Sequence, residues 1–302
     1  MGAGHSHDHG GHGHGQPPKD FGAAFGWGIG LNLAFVAVEA FYGFVSGSMA
    51  LVADAGHNLS DVLSLALAWG ASVLAKRPPG GRYTYGFKSS TILAALANAG
   101  LLLVAIGGIA FETVNRMSEP PAVEGRTMIV VASIGIVINA ATAMLFARGR
   151  KNDINIRGAF LHMAADALVS LGVVVAGALI LWTGQRWIDP VTSLVIVLVI
   201  AWGTWGLLKD SVKLGLNAVP DHIDEAAVRR HLAALPGVSA VHDLHIWPMS
   251  TTEAALTAHL VMPRGHPGDV FLRSLAHDLE HDHAIGHVTV QIEQSRECAQ
   301  GC

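Results

Sequence analysis

The amino-acid sequence predicts an α-helical membrane protein with six transmembrane helices and a small C-terminal α+β domain. The 302-residue chain is 51% hydrophobic and only 14% charged, against roughly a quarter charged for a typical soluble domain. Charges are scarce and clustered from residue 21 to residue 208, whereas residues 209–302 have the charge density of ordinary soluble protein. Six apolar stretches in the first region are each long enough to cross a bilayer, which takes about 20 helical residues.

The predicted spans follow from the positions of the charges. They cover residues 21–46, 49–75, 89–111, 127–147, 158–183 and 190–208, and Glu39 interrupts the first one. Eleven Lys and Arg residues flank one set of loops and only three flank the other. Because basic residues favour the cytoplasmic side, we expect a multi-pass protein of the cell (inner) membrane with both termini in the cytoplasm.

Composition divides the chain into three parts. Residues 1–19 are rich in His and Gly and cannot bury a core, so we expect a disordered cytoplasmic tail. Residues 20–208 are expected to form the transmembrane domain, and residues 209–302 a cytoplasmic α+β domain. The N-terminus lacks the basic and apolar regions of a cleavable signal peptide, so the first apolar helix is expected to act as its own insertion signal.

Apolar spacing in the last part predicts the order helix, strand, strand, helix, strand. The predicted elements are 224–235, 238–247, 254–262, 267–283 and 287–293. The two cysteines, Cys298 and Cys302, lie at the C-terminus; they argue against a secreted disulfide scaffold and fit a reducing compartment. The net charge of −4 gives no reason to expect nucleic acid as a partner.

Two His-x-x-x-Asp pairs lie in predicted transmembrane helices. His57 and Asp61 are in the second span, and His162 and Asp166 are in the fifth. Residues four apart share one face of a helix, so each helix offers an imidazole and a carboxylate together. Bringing the two faces together predicts a four-ligand site that suits zinc. The alternative, polar pairs that only join helices, is disfavoured because a carboxylate at mid-membrane costs roughly 2.5–3.5 kcal/mol.

The charge balance of such a site indicates how it works. Two aspartates neutralise a divalent ion, so the loaded site tolerates a low dielectric. Without metal, the buried carboxylates repel each other unless protons bind, so metal and protons compete. A site of this kind that faces each side in turn exchanges metal for protons. The sequence has no phosphate-binding Gly-rich loop, and we expect no resident cofactor, with zinc as the substrate and a regulatory ligand.

Four stretches of the sequence resemble the cation diffusion facilitator family. They are GSMALVADAGHNLSDVLSLALAW, RYTYGFKSSTILAALAN, AVHDLHIW and HVTVQIE. The resemblance runs from about residue 21 to residue 293. It implies a homodimeric metal/proton antiporter in the lipid bilayer, with a metallochaperone-like cytoplasmic domain. It also implies that the two His-x-x-x-Asp pairs form the transport site, and that a histidine at position 57 goes with a preference for zinc over manganese. Cadmium, cobalt and ferrous iron remain alternative substrates, since nitrogen and oxygen sites accept several metals.

The same resemblance implies a metal site in the cytoplasmic domain. By position, His242, His259 and Glu293 match the family's ligands, and residues on neighbouring strands can point to one face. His245, three residues after His242, is expected to face the other way. The alternative interpretation is a set of surface histidines on a sheet. Some family members bind a further metal through histidines in the loop after the second span; here that loop, residues 76–88, has none, so we predict that this site is missing.

Two other classes of protein compete with a transporter. An intramembrane zinc enzyme needs an open coordination position, which four protein ligands do not leave, so we do not expect an enzyme. A membrane metal sensor that does not transport is the second alternative. His277 and His281 match a His-x-x-Glu-His protease pattern, but a solvated helix face explains them.

The sequence leaves the roles of several residues open. Glu39 is either a proton relay or a packing residue, and Asp54 either guides metal or is solvated. The His-rich tail, Cys298 and Cys302 either bind metal functionally or do not.

Overall fold

A computed structural model describes residues 21–147 and 154–295. The membrane part consists of α1 (Phe21–Ser46), α2 (Met49–Ala75), α3 (Ser90–Ser118), α4 (Gly125–Ala147), α5 (Ile154–Thr183) and α6 (Ile188–Gly215). The C-terminal part consists of α7 (Glu225–Ala233), β1 (Ala240–Pro248), β2 (Ala254–Val261), α8 (Asp269–His283) and β3 (Ile285–Glu293). The His-rich tail and both cysteines lie outside the described residues, so the predictions for them stay predictions.

Helices α2 to α6 each contain a segment long and apolar enough to cross a membrane. The apolar segment described in α1, Leu33–Ser46, is shorter, but α1 has 26 residues in all, about 39 Å at 1.5 Å per residue. The predicted α-helical membrane architecture is confirmed. Helices α3 and α6 both run past the ends of their predicted spans, 111 and 208, because charged residues there end the apolar run without breaking the helix.

The membrane helices pack mainly in pairs: α4 lies along α5, α3 lies along α6, and α2 contacts α1, α3, α5 and α6. Glycines set the closest approach, between α4 and α5. A Cβ atom at Gly125 would lie 2.8 Å from the carbonyl oxygen of Gly177, and one at Gly177 would lie 2.9 Å from that of Gly125. Small residues allow this close backbone contact, which holds α5 in place.

The carboxylate of Asp189 anchors the first turn of α2 to the first turn of α6. Its Oδ2 accepts a hydrogen bond from the backbone nitrogen of Met49 at 2.8 Å, and its Oδ1 accepts one from the Ser48 hydroxyl at 2.5 Å. A negative charge is stabilised at a helix N-terminus, where backbone N–H groups lack partners. The position of α2, which carries His57 and Asp61, is therefore set at this end by α6.

The C-terminal domain is a three-stranded sheet with both helices on one face. The strand order is β1-β2-β3, with β1 antiparallel and β3 parallel to β2. Helix α8 makes the crossover that a parallel pair requires. Side chains of α7 and α8 share one apolar core with β2, which includes Leu232, Leu256 and Leu279. The predicted order of elements is confirmed.

The start of α3 holds the C-terminal domain against the membrane domain. Lys88 forms an ion pair with Glu253, Ser89 donates a hydrogen bond to the carbonyl of Met249 at 3.3 Å, and Thr91 accepts one from the backbone of Thr251 at 3.1 Å. All three partners belong to the turn between β1 and β2 or its flank, so this turn is the docking point.

Candidate metal sites

Two histidines and two aspartates meet between α2 and α5. Nε2 of His57 lies 3.4 Å from Oδ1 of Asp166 and 3.8 Å from Oδ2 of Asp61. Nε2 of His162 lies 3.3 Å from Oδ2 of Asp61 and 3.7 Å from Oδ2 of Asp166. Each imidazole therefore contacts one carboxylate of its own helix and one of the other helix. The structure brings together all four residues that the sequence predicted for the transmembrane site.

The spacing of these donor atoms suits a tetrahedral ion. Zinc binds nitrogen and oxygen at about 2.0–2.2 Å, so two ligand atoms on a tetrahedral zinc lie about 3.3–3.6 Å apart. The four His–Asp distances run from 3.3 to 3.8 Å, close to that range. Ligand atoms of His57, Asp61 and Asp166 all lie within 4.8 Å of one another. His162 lies outside that group, so its side chain must rotate for all four to bind one ion.

The four side chains differ in accessibility. Asp166 is only 3% exposed and His57 is 17% exposed, while Asp61 and His162 are 23% and 44% exposed. The two residues of α5 differ most, with His162 accessible and Asp166 buried, whereas His57 and Asp61 on α2 have similar exposure. In this conformation the site is most accessible at His162.

A buried polar network lies on the closed side of the site. Glu39 and Asp54 are both 0% exposed. Oε2 of Glu39 accepts a hydrogen bond from Asn58 at 3.2 Å, and Oδ2 of Asp54 accepts one from Ser170 at 2.9 Å. The two carboxyl groups also interact with each other. The alternative of a solvated Asp54 is wrong, because α1 and α5 cover the face of α2 that carries it.

The second predicted set meets on the C-terminal sheet. Nε2 of His242 lies 2.8 Å from Oε2 of Glu293, and Nδ1 of His259 lies 3.1 Å from Oε1 of the same carboxylate. His242 pairs directly with His259 between β1 and β2, and directly opposed residues share a face. Ligand atoms of all three residues lie within 4.8 Å of one another, so the strand pairing brings the three side chains together.

Electrostatics favour an ionised Glu293 at this cluster. Desolvation alone would raise the pKa of its carboxyl group, but hydrogen bonds from Gln291 and His242 and the charges of His259 and His242 outweigh it. The pKa of Glu293 therefore lies below its usual value. A carboxylate that is already ionised is ready to bind a cation.

The expectation that His245 faces away from His242 is wrong. A β-bulge shifts the register between these residues, so that His242 pairs with His259 and His245 pairs with Thr257. His259 and Thr257 are two apart on β2 and share a face. The extra residue in the bulge breaks the alternation on which the expectation rested, and His245 lies on the same face as His242.

Asp243 is a candidate functional residue that the sequence analysis missed. Its backbone has φ +49°, a region that Asp tolerates better than most residues. Its Oδ2 lies 3.4 Å from Nε2 of His259 and its Oδ1 lies 2.9 Å from Nε2 of His245. A carboxylate on one ring nitrogen directs the other nitrogen to a metal, so Asp243 orients Nδ1 of His259 toward Glu293. The sequence did contain a signal for this residue. His242 and Asp243 are adjacent polar residues in a strand that otherwise alternates apolar and polar residues.

Fold and site together define a multi-pass membrane protein with a cluster of metal-ligating side chains inside its helical bundle. Family models support this class. Residues 27–214 match the cation efflux transmembrane domain, and residues 220–295 match the cytoplasmic domain of cation efflux proteins.

Curated relatives match nearly the whole chain. The cadmium, cobalt and zinc/H(+)-K(+) antiporter of Bacillus subtilis is 36% identical over 264 residues, 86% of this chain and 85% of that protein. The metal cation efflux system protein CzcD of Cupriavidus metallidurans is 37% identical over 97% of this chain and 90% of its own length. The zinc transporter ZitB of Escherichia coli is 36% identical over 88% of this chain and 86% of its own length.

A solved structure is also similar to part of the chain. It is the metal-bound C-terminal domain of the CzcD transporter from Cuprividus metallidurans, with 39% identity, a TM-score of 0.22, and coverage of 24% of this chain and 99% of that one.

The chain belongs to the cation diffusion facilitator family of cation efflux proteins. Members of this family are transporters.

Proposed function

We propose that this protein exports Zn²⁺ from the cytosol in exchange for protons. The exchange site consists of His57, Asp61, His162 and Asp166. The observation that carries the proposal is the closed ring of four His–Asp contacts, at 3.3–3.8 Å, between α2 and α5. Relatives named as zinc transporters and as a zinc/H(+)-K(+) antiporter support the same substrate and mode of coupling. Cd²⁺, Co²⁺ and Fe²⁺ are alternative substrates, since all of them accept nitrogen and oxygen ligands.

In the proposed site, metal and protons exclude each other for a reason of charge balance. With zinc bound, two carboxylates balance the charge of the ion and both imidazoles must be neutral. With zinc absent, a proton on each imidazole balances the two carboxylates instead. The shortest contact of each imidazole is to the aspartate of the other helix, at 3.4 Å for His57 and 3.3 Å for His162. Protons therefore hold α2 and α5 together when the metal leaves.

The accessible side of the site suits a state open to the cytosol. We place both termini in the cytoplasm, so α2 runs inward and α5 runs outward. In that orientation Asp61 and His162 lie one turn nearer the cytosol than His57 and Asp166. The two nearer side chains are the more exposed ones, while Ser170, one turn further out than Asp166, is 0% exposed.

The remaining parts of the proposal concern assembly and control. We place residues 1–19 in a cytoplasmic tail, residues 20–208 in the membrane domain and residues 209–302 in the cytoplasmic domain, within the cell (inner) membrane. The protein acts as a homodimer. Zinc at His242, His259 and Glu293 regulates transport, since a ligand that prefers a compact arrangement of the strands shifts the population toward it.

Flux in sealed vesicles tests the function. Purified protein is reconstituted with a zinc indicator and a pH indicator inside, and an outward proton gradient is imposed. We expect zinc entry with matching proton exit, both lost in Asp166→Asn and kept in Asp210→Asn, whose carboxylate is exposed. Zinc flux that ignores the proton gradient would refute antiport. Zinc binding without flux would favour a sensor, and zinc-dependent hydrolysis without flux would favour an enzyme.

A further inference from the structure

Two histidines outside both candidate sites meet between the helices of the C-terminal domain. His231 lies in the last turn of α7, and His283 is the last residue of α8. Nε2 of His283 lies 3.2 Å from Nδ1 of His231. The two rings stand at 79° to each other with their centroids 5.1 Å apart, and both are partly buried.

The core beneath the pair holds both helices in position. Leu232 of α7 and Leu279 of α8 are each 0% exposed and belong to the same apolar cluster. His231 directly precedes Leu232, and His283 follows Leu279 by about one helical turn. That core fixes the backbones of both helices at this point, so the close approach of the two histidines is a property of the fold.

The distance between the two nitrogens is that of two ligands on one metal ion. Two imidazole nitrogens bound to a tetrahedral zinc at about 2.0–2.1 Å lie about 3.3 Å apart. In the metal-free protein one of the two nitrogens carries a proton and donates it to the other. To bind metal, that ring takes its other tautomer by exchanging protons with water, and both nitrogens then offer a lone pair.

The local field favours a cation at this position. Both rings lie at the C-terminal ends of their helices, where the helix dipole is negative. Arg230 opposes this effect, but its side chain is exposed and extends toward Asp224, 3.7 Å away. No third His, Cys, Asp or Glu within the described ranges groups with the pair at ligand distance, so water fills the remaining coordination positions.

We propose that His231 and His283 form a Zn²⁺ site that links α7 to α8. The site is separate from His242, His259 and Glu293, because the helices cover the opposite face of the sheet. A metal bound only by the folded domain stabilises it in proportion to the free metal concentration. The pair thus couples the stability of the C-terminal domain to cytosolic zinc, and the inference holds whether or not the membrane site exchanges protons.

Zinc binding to the full-length protein in detergent tests the site. The double variant His231→Gln with His283→Gln keeps hydrogen-bonding side chains of similar size but lacks both imidazoles. By equilibrium dialysis we expect this variant to bind one zinc fewer per chain than the unaltered protein. We also expect zinc to raise its unfolding temperature by less. His277→Gln, an exposed position on α8, should retain both properties.

Equal zinc content and equal stabilisation in the double variant and the unaltered protein would overturn the site. If the double variant does not fold, the site can be tested in crystals of the unaltered protein grown with Zn²⁺, by anomalous scattering at the zinc edge. A peak between the two rings supports the site, and a map without one at saturating zinc overturns it.

Discussion

His57 lies closer to Asp166 on the neighbouring helix, at 3.4 Å, than to Asp61 on its own helix, at 3.8 Å. His162 shows the same preference, at 3.3 Å to Asp61 and 3.7 Å to Asp166. In the proposed transport site, the shorter contact of each imidazole therefore crosses the α2–α5 interface rather than staying within one helix. A conformational change that separates α2 from α5 would disrupt both short contacts at once.

Replacing either aspartate should abolish transport. Asp61→Asn and Asp166→Asn keep the shape of the side chain but leave the divalent ion half neutralised. Removing one partner of a buried charge set costs roughly 3–5 kcal/mol, which corresponds to a loss of zinc affinity of more than about 100-fold. Zinc binding by calorimetry and flux in vesicles measure the two effects. Near-normal flux in either folded variant would remove that residue from the mechanism.

Exchanging the imidazole at position 57 for a carboxylate should change selectivity. His57→Asp replaces a nitrogen ligand with a harder oxygen ligand, which favours Mn²⁺ relative to Zn²⁺. We expect the ratio of zinc flux to manganese flux to fall while some transport remains. His222→Asp, which makes the same change in the segment before α7, is the matched control and should leave the ratio unchanged. An unaltered ratio in His57→Asp would mean that His57 does not select the metal.

The carboxylate of Asp243 should strengthen metal binding by the C-terminal domain. Asp243→Asn retains a side chain that tolerates the positive φ of the bulge but removes the charge that orients His259. Loss of such a supporting carboxylate typically lowers metal affinity by about 10–100-fold. Calorimetry on full-length protein carrying Asp61→Asn and Asp166→Asn isolates this domain from the membrane site. Glu280→Gln, on the exposed face of α8, serves as the control. Equal metal affinities in Asp243→Asn and Glu280→Gln would show that Asp243 does not support metal binding.

The ion pairs of Glu293 should give the metal-free domain a specific dependence on pH. The folded state lowers the pKa of this carboxyl group from its usual value near 4.5. The ionised Glu293 carboxylate therefore contributes fully to the free energy of unfolding at any pH above its pKa in the unfolded chain. That contribution is lost as the pH falls through the lower pKa of the folded state. Unfolding of the unaltered protein and of Glu293→Gln, compared from about pH 7 to about pH 3, should show a difference that disappears in acid. A difference that persists unchanged at the lowest pH would contradict this account.

Some of these features are local properties of the sequence. A run of about 20 apolar residues predicts a membrane helix wherever it lies, and four-residue spacing places His57 beside Asp61 regardless of the rest of the chain. Alternating apolar residues likewise predict the strands of the C-terminal domain. The fold class and the four candidate ligands of the membrane site are therefore predictable from the amino-acid sequence alone. The bulge at Asp243 is not, because strand register depends on pairing with a partner strand and a shift of one residue reverses the face.

What the sequence by itself determined is each segment's type, the pairs of ligands that share a helix face, and the cost of burying their charges. What only the tertiary structure decided is which ligands meet across segments. Burial of Glu39 beside Asp54, the cross-helix contacts of His57 and the approach of His231 to His283 all join residues far apart in the chain. Side-chain packing determines which of these residues meet, because protein interiors are close-packed and a change of even one methylene group in volume affects the packing. That selection is a property of the assembled core, which no single stretch of sequence contains.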